Sequence, residues 1–184
     1  AWWNESWQYR TKISFDTTAN GANVQENQSE IPILIRLHSG NFNFANAKED
    51  GADIRFVSSE DLNLLKHHIE RFDLIDEIAL IWVKVPRVSG NDSTGFIWMY
   101  YGYGEAMGGQ DAKSTYDAGF GAVYHFGEIE GSPQDSSVIG TQTASFSGGL
   151  GLPAVIGLGL SLNGGGDRLA LADAPALSMT NGFT

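Results

Sequence analysis

Alternating apolar and polar residues along the N-terminal part of the chain predict a series of short β-strands. In residues 8–16 (QYRTKISFD), the residues at odd positions from Tyr9 to Phe15 fall on one face, and mostly polar residues fall on the other. A period of two residues is typical of a half-buried strand. Turn-forming residues separate this segment from further strand patterns at 31–39, 52–59, 64–72, 77–86 and 94–104.

Three segments of this series carry more specific predictions. The most apolar segment, 77–86, should run through the middle of a sheet. Pro32 should lie near a strand start or at a sheet edge, because proline donates no hydrogen bond to a neighbouring strand. Only residues 42–51 have a pattern that suits one or two helical turns. Regular short strands without a long amphipathic helix predict an all-β protein, an antiparallel β-sandwich of the jelly-roll-like kind.

The pattern changes in the second half of the chain. Residues 103–121 are rich in small residues and lack alternation, which predicts a linker between a sandwich domain at 1–102 and a second domain at 122–184. About four weak strands follow the linker, too few to bury a sandwich core. Two of them, 157–163 and 167–173, flank a Gly-Gly-Gly turn. We therefore predict that 122–184 is the N-terminal part of an incomplete second sandwich.

Composition and charge exclude several classes of function. The net charge of −11, with no cluster of lysine or arginine, excludes nucleic acid and anionic lipid as partners. The chain has no cysteine, which rules out disulfides, thiolate zinc sites and cysteine nucleophiles. No apolar run reaches the roughly 18 residues of a membrane span, so we expect no membrane insertion.

The first residue also bears on location. The chain begins with Ala1, and a small residue in this position is typical of a protein whose signal peptide has been removed. We therefore expect an exported protein with a periplasmic or extracellular location. An arbitrary chain boundary is the alternative explanation.

Candidate catalytic groups lack the partners that their chemistry requires. His68 and Glu70 share a strand face, but a zinc site needs three or four ligands. A charged cross-strand cluster with Lys66 or Arg71 is the favoured interpretation. Acidic residues flank the turn RFDLIDE (71–77), yet glycoside hydrolysis needs two carboxylates that face one groove. We therefore predict that the protein is not an enzyme and needs no organic cofactor.

Calcium stays open as an alternative, because oxygen-rich turns suit hard cations. The weak ligand candidates are Asp92 in SGND (89–92), Asp135, and Asp167 in NGGGD (163–167). Turns of this composition also form without any ion, and that interpretation is favoured.

Aromatic residues crowd the start of the chain and one late strand. A flat ring stacks well on the C–H face of a sugar, so an exposed aromatic platform would suit glycan binding. Trp7 and Tyr9 lead into the first strand and should be buried, whereas at least one of the two preceding tryptophans should be exposed. The candidate ligand-binding residues are Trp2, Trp3, Trp98, Tyr101 and Tyr103.

The alternative is that some of these rings fill the core. We favour a position between two sheets for Trp82 and Trp98, because large aromatic rings are usually mostly buried. Strand alternation also predicts that Tyr101 and Tyr103 share one face.

Six motifs between residues 3 and 102 occur together in order and spacing. They are W…W.YR..I (3–13), ILIRLHSGNF (33–42), DGADIRFV (50–57), HIERFD (68–73), ALIWVKVP (79–86) and IWMYYG (97–102). Through these motifs the first segment resembles a bacterial family of unknown function.

The second segment carries VYHF.E, DSS and G.GL.LNG.GD.L.L within 122–184. It resembles the start of a laminin-G-like, concanavalin-A-like lectin sandwich. In large proteobacterial proteins such a pair often precedes a proton channel subunit of the MotA/TolQ/ExbB type. The resemblance therefore implies a periplasmic part of a membrane motor protein.

Two functions follow from these observations. The first is a non-catalytic binding module that recognises a glycan or another envelope component, which predicts an exposed aromatic groove. The second is a structural module that assembles a periplasmic complex, which predicts an apolar surface covered by another chain. A glycan-cleaving enzyme is a weaker third alternative.

Overall fold

The computed structural model describes residues 2–178 and divides the chain into two compact units, Ala1–Asp111 (unit 1) and Ala112–Thr184 (unit 2). The boundary between the units falls within the segment 103–121. Both units are built from antiparallel strands, so the prediction of an all-β fold is confirmed.

Unit 1 is a β-sandwich of seven strands in two sheets. A four-stranded sheet has the order β1-β7-β3-β4, and a three-stranded sheet has the order β2-β6-β5. A short 3₁₀ helix, Phe44–Asn46, lies in the segment predicted to hold a helical turn. The strands are β1 Tyr9–Ser14, β2 Gln28–His38, β3 Arg55–Val57, β4 Leu64–Leu65, β5 His67–Asp73, β6 Ile78–Val88 and β7 Phe96–Tyr101.

The main core of unit 1 lies between its two sheets. The four-stranded sheet contributes Phe56 and Met99, and the three-stranded sheet contributes Ile81 and Val83, all essentially without solvent exposure. As predicted from its apolar sequence, β6 is the central strand of its sheet. Pro32 lies on β2, an edge strand, which also confirms the prediction made for it.

The segment 64–72, predicted as one strand, is two strands in two different sheets. β4 pairs with β3, whereas β5 pairs with β6, and the chain crosses from one sheet to the other at Lys66. This corner directs the ring of His67 into the core, where it meets Phe56 edge-on with 5.5 Å between the ring centroids. Alternation alone missed the corner, because the apolar pattern continues through it.

A second, smaller core covers the outer face of the four-stranded sheet. Trp7, Val57 and Tyr100 are buried there, and Trp3, Trp98 and Tyr103 pack against them. The segment before β1 folds over this face, and Trp7 Nε1 donates a hydrogen bond to the Asp53 carbonyl at 2.6 Å. Trp7 is therefore buried as predicted, while Trp2 remains 38% exposed.

Three aromatic predictions are wrong, each for a geometric reason. Trp98 and Trp82 are half-buried on the outer faces of the two sheets rather than between them, because the inward positions of β7 and β6 belong to their neighbours in sequence. Tyr9 is 39% exposed because it begins β1 at the end of the sandwich. Tyr101 and Tyr103 do not share a face, because Gly102 ends β7 with a φ of +87° and turns the chain.

In residues 112–178, unit 2 holds two antiparallel strand pairs and a short α-helix, α1, at Ala112–Thr115. The two predicted strands around the Gly-Gly-Gly turn are confirmed as β10 and β11. They do not pair with each other, since β10 pairs with β9 and β11 pairs with β8. The strands are β8 Thr143–Ser147, β9 Gly149–Pro153, β10 Leu158–Ser161 and β11 Arg168–Leu171, followed by a 3₁₀ turn at Pro175–Leu177.

Candidate functional site

A small polar depression lies at one end of the unit 1 sandwich, where β1 begins and β7 ends. Its volume is about 220 Å³. Two tyrosines, two amide-bearing residues and one carboxylate line it together with small residues, so it offers both flat rings and hydrogen-bonding groups. The lining residues are Gln8, Tyr9, Ala45, Asn46, Ala47, Asp53, Gly102, Tyr103 and Gly104.

Tyr9 owes its position to the cross-strand pairing at this end of the sheet. It lies opposite Tyr101 in the β1–β7 register, and the two rings stack with 5.4 Å between centroids and 24° between planes. Tyr101 is in turn packed against Phe42 in the core, with 4.8 Å between centroids. Tyr101 therefore supports Tyr9, which remains 39% exposed.

Gly102 shapes the depression through its backbone. Its φ of +87° is a conformation that favours glycine, and a Cβ atom in this position would lie 2.4 Å from the ring of Tyr9. Because the chain turns here, Tyr103 lies on the outer face and packs against Trp7, with 4.8 Å between centroids and 59° between ring planes. The two tyrosines thus border the depression from different sides of the sheet.

The buried carboxylate of Asp53 accepts hydrogen bonds from backbone segments on different sides of the depression. One oxygen accepts hydrogen bonds from the backbone N–H groups of Gly102 (2.6 Å) and Tyr103 (3.2 Å). The other oxygen accepts from the N–H of Lys48 at 2.9 Å, and the side chain as a whole has no solvent exposure. Asp53 is therefore a positioning residue whose oxygens are already engaged by the protein.

Next to the depression, on the outer face of the sheet, a partly buried charge pair contacts one of the opening tryptophans. Arg10 forms an ion pair with Asp61, and the Tyr100 hydroxyl donates to Asp61 at 2.7 Å. The hydrogen bond from Arg10 to the Tyr100 hydroxyl is the main cause that raises the pKa of this guanidinium. The guanidinium also lies 4.0 Å from the ring centroid of Trp98 and 4.8 Å from that of Trp2.

The five aromatic candidates therefore do not form one continuous platform. Tyr103 lines the depression, and Tyr101 supports the ring of Tyr9 by stacking on it. Trp3 packs between Trp7 and Tyr100, and Arg10 covers one face of Trp98. Trp2 is the most exposed of the three opening tryptophans, with its edge on Tyr100 and its Nε1 donating to the Trp7 carbonyl at 3.0 Å.

Sequence reasoning missed Tyr9 as a site residue. The alternating pattern predicted burial for it, and no pattern indicates that the end of a strand is also the end of the sandwich. The run Tyr101–Gly102–Tyr103 was the available signal, because a glycine between two tyrosines at a strand end permits a change of direction.

The three calcium candidates lie in separate turns, and each carboxylate already accepts hydrogen bonds within its own turn. Asp92 accepts from the hydroxyl and N–H of Thr94 and from the N–H of Gly95, and the Thr94 hydroxyl is the main cause that lowers its pKa. Asp167 accepts from the N–H of Asn163 at 3.2 Å. Within residues 2–178 no three acidic, histidine or cysteine side chains come together as metal ligands.

Asp135 is the most completely bonded of the three. It accepts from the N–H groups of Val123, Ser137 and Thr141 and from the Ser137 hydroxyl, at 2.6–2.8 Å. Burial acts to raise the pKa of Asp135, but these hydrogen bonds outweigh burial and lower it. Through these hydrogen bonds, Asp135 therefore stabilises the first part of unit 2.

The carboxylates around β5 pair with side chains of their own sheet. Arg71 bridges Asp73 at 3.0 Å and Asp76 at 2.6 Å, which raises the pKa of the guanidinium. Glu70 accepts a hydrogen bond from Trp82 Nε1 at 2.6 Å. Arg71 therefore pairs with acids of its own strand and of the turn that follows it, and Lys66 pairs with Asp111. The cross-strand hydrogen bond of Glu70 is with an indole, whereas the sequence predicted charged partners.

Comparison with known families matches residues 50–141 to a domain of unknown function (DUF2341). The match covers half of the chain. The chain belongs to this family. The matched residues begin in unit 1 just before Asp53 and end in unit 2 at Thr141. The DUF2341 segment therefore includes four of the nine residues that line the depression, Asp53, Gly102, Tyr103 and Gly104, together with the Asp135 turn. No curated protein and no solved structure matches the chain.

The match overlaps the motif-based resemblance between residues 50 and 102. It does not include the opening tryptophans or β1, and nothing in the comparisons concerns a laminin-G-like domain or a proton channel. No helix among residues 2–178 has the length and apolar character of a membrane span.

Proposed function

We propose that the chain is a non-catalytic binding module that recognises a glycan at the depression between Tyr9 and Tyr103. The observation that carries the proposal is an exposed tyrosine ring, stacked from behind by Tyr101, at the wall of a polar depression. A ring held in this way loses little conformational freedom when a sugar stacks on it. Gln8 and Asn46 supply amide groups of the type that bind sugar hydroxyls.

The size of the depression limits the ligand. At about 220 Å³ it is smaller than the roughly 300–1,000 Å³ of sites for drug-sized molecules. One sugar unit of a longer chain, or a chain end, is the ligand that suits it. We further propose that the module works in the periplasm or outside the cell. The supporting observation is the resemblance to laminin-G-like modules that precede MotA/TolQ/ExbB-type subunits.

The test is a glycan array followed by calorimetric titration of the best ligand. Tyr9→Ala should weaken binding at least about tenfold, because aromatic anchors dominate such contacts. Trp2→Ala is the matched control: Trp2 is exposed to the same extent, 38% against 39%, but does not line the depression. Absence of any glycan ligand, or a loss with Trp2→Ala that exceeds the loss with Tyr9→Ala, would refute the proposal.

The proposal that the module does not cleave its ligand rests on the carboxylates. Asp53 is the one acid that lines the depression, and its oxygens are bonded to backbone N–H groups. A glycosidase of the usual kind needs two carboxylates at the scissile bond. Release of reducing ends from the bound glycan, lost on substitution of one Asp or Glu, would show that the module is an enzyme.

A structural role in assembly is the second candidate, and exposed apolar residues in unit 2 favour it. Ile129 and Val155 are 86% and 103% exposed, an unusual degree for large apolar side chains. Other exposed apolar residues in the same unit are Val138, Ile139, Leu152, Ile156 and Leu162. Light scattering of the purified chain would show a defined assembly if these residues form an interface, and Val155→Asp should then dissolve it.

A further inference from the structure

An open groove separates two edge strands of unit 1, away from the residues of the depression. β1 is the edge of the four-stranded sheet and β2 is the edge of the three-stranded sheet. The groove has two parts of about 400 and 380 Å³, which share Ser14, Phe15 and Ile33 as lining residues and are therefore continuous. Its apolar lining includes Ile13, Phe15, Ile31, Ile33, Ile35 and Met99.

The β1 side of the groove presents unpaired backbone groups. Phe15 donates its N–H to the carbonyl of Gly95 at 2.8 Å, which fixes the phase of the β1–β7 ladder. In an antiparallel pair, alternate residues face the neighbouring strand and the residues between them face away. Lys12 and Ser14 therefore direct their N–H and C=O groups into the groove, where a further strand could pair with them.

The β2 side of the groove is largely closed to pairing. Pro32 has no N–H to offer. At the other end of β2, the side chain of Asn41 accepts from the N–H of His38 at 2.9 Å and donates to the carbonyl of Arg36 at 3.1 Å. Because the two edges differ in this way, an added strand would pair with β1 and only pack against β2.

Two cations border the first part of the groove. Lys12 and Arg36 line it, one on each edge strand, and no carboxylate of residues 2–178 forms an ion pair with either. The ammonium of Lys12 lies 4.0 Å from the ring centroid of Phe96, on the outer face of the four-stranded sheet. The chain as a whole carries a net charge of −11, so this pair of cations is a local exception. Asp16 lines the second part of the groove, so the positive potential is confined to the first part.

We propose that this groove binds an extended acidic peptide segment of a partner protein, which adds to β1 as a further strand of the four-stranded sheet. Its apolar side chains at alternate positions would enter the groove, and its acidic side chains would lie on the outer face of the four-stranded sheet beside Lys12. A second copy of this chain fits less well, because pairing of two β1 edges would bring two Lys12 side chains together.

The experiment follows backbone amide resonances of the full chain by NMR during titration with two probes. The first probe is a short, terminally blocked peptide of alternating glutamate and valine; the second has lysine in place of glutamate. The glutamate peptide should shift the amides of Lys12 and Ser14 and bind at least about tenfold more tightly than the lysine peptide. Lys12→Glu should reverse this preference, while Arg168→Glu, the same charge change on an exposed residue of unit 2, should leave it unchanged.

A second variant tests the strand pairing itself. Ser14→Pro removes one N–H that faces the groove without removing a hydrogen bond to β7, so the sheet should remain intact and peptide affinity should fall about tenfold or more. Equal affinity for both peptides would overturn the proposal, as would shifts that spare Lys12 and Ser14. It would also fail if the same amides respond to protein concentration without peptide, which indicates a second copy, or to an oligogalacturonate but not the peptide, which indicates a glycan.

Discussion

At the scale of single residues, Trp7 is the aromatic side chain that should matter most for stability. It is 7% exposed, and Trp3 and Tyr103 pack on it, with 4.9 and 4.8 Å between ring centroids. Trp7→Ala should lower the free energy of unfolding by about 3–5 kcal/mol, the usual cost of removing a large buried aromatic side chain. Trp2→Ala should cost about 1 kcal/mol or less. Urea denaturation of both variants measures the difference, and equal losses would contradict it.

His67 should make stability depend on pH. Burial, followed by the nearby charge of Arg55, lowers its pKa from 6.5 to about 4 in the folded protein. As the pH falls below 6.5, the unfolded chain binds a proton at this residue and the folded protein does not. The stabilisation is therefore complete above pH 6.5 and is lost as the pH falls toward 4, by about 3 kcal/mol in total.

The measurement compares His67→Phe, of similar shape, with the parent chain between pH 7 and pH 4.5. The other titrating groups are common to both proteins, so the parent should lose about 2–3 kcal/mol more than the variant over this range. His38→Phe, at an exposed position, is the control and should follow the parent. Parallel curves for the parent and His67→Phe would show that His67 does not set the dependence.

At the scale of elements, the turn around Asp135 should be stabilised by hydrogen bonds rather than by a metal ion. Four protein donors satisfy its carboxylate, whereas Asp167 has one. Asp135→Asn should destabilise unit 2 by about 1–3 kcal/mol, and Asp167→Asn by clearly less. Thermal melts with EDTA and with added calcium should agree for the parent chain. A rise in the melting temperature with calcium, lost in Asp135→Asn, would instead establish a calcium site.

The same scale shows how far the sequence predicts the fold. The segments of β1, β6, β7, β10 and β11 follow from alternation and turn residues. The division of 64–72 at Lys66 does not, because alternation reports which positions are apolar and not which sheet a strand joins. The depression was missed for a related reason: Tyr9 and Tyr103 come together through Gly102, whose φ is a property of the folded turn.

At the scale of the whole molecule, residues 103–111 are attached to unit 1 by side chains spread along it. Lys48 donates to the carbonyl of Ala106 at 2.9 Å, Arg55 donates to that of Met107, and Lys66 forms an ion pair with Asp111 at 2.9 Å. The residues predicted as a linker therefore include a stretch held against the first sandwich. The next element is α1, a helix of four residues that begins directly after the boundary between the units.

This attachment determines where a protease should cut first. Lys113 is exposed in α1, whereas Lys48, Arg55 and Lys66 are engaged with the attached stretch. Limited trypsin digestion should therefore cleave first after Lys113 and release a fragment of unit 1 with its melting transition intact, because a short exposed helix opens more easily than a sheet. Lys113→Gln should delay this cleavage. Mass spectrometry of the early fragments identifies the first cleavage site. A first cut within residues 77–102 would show that the sandwich opens before α1 does.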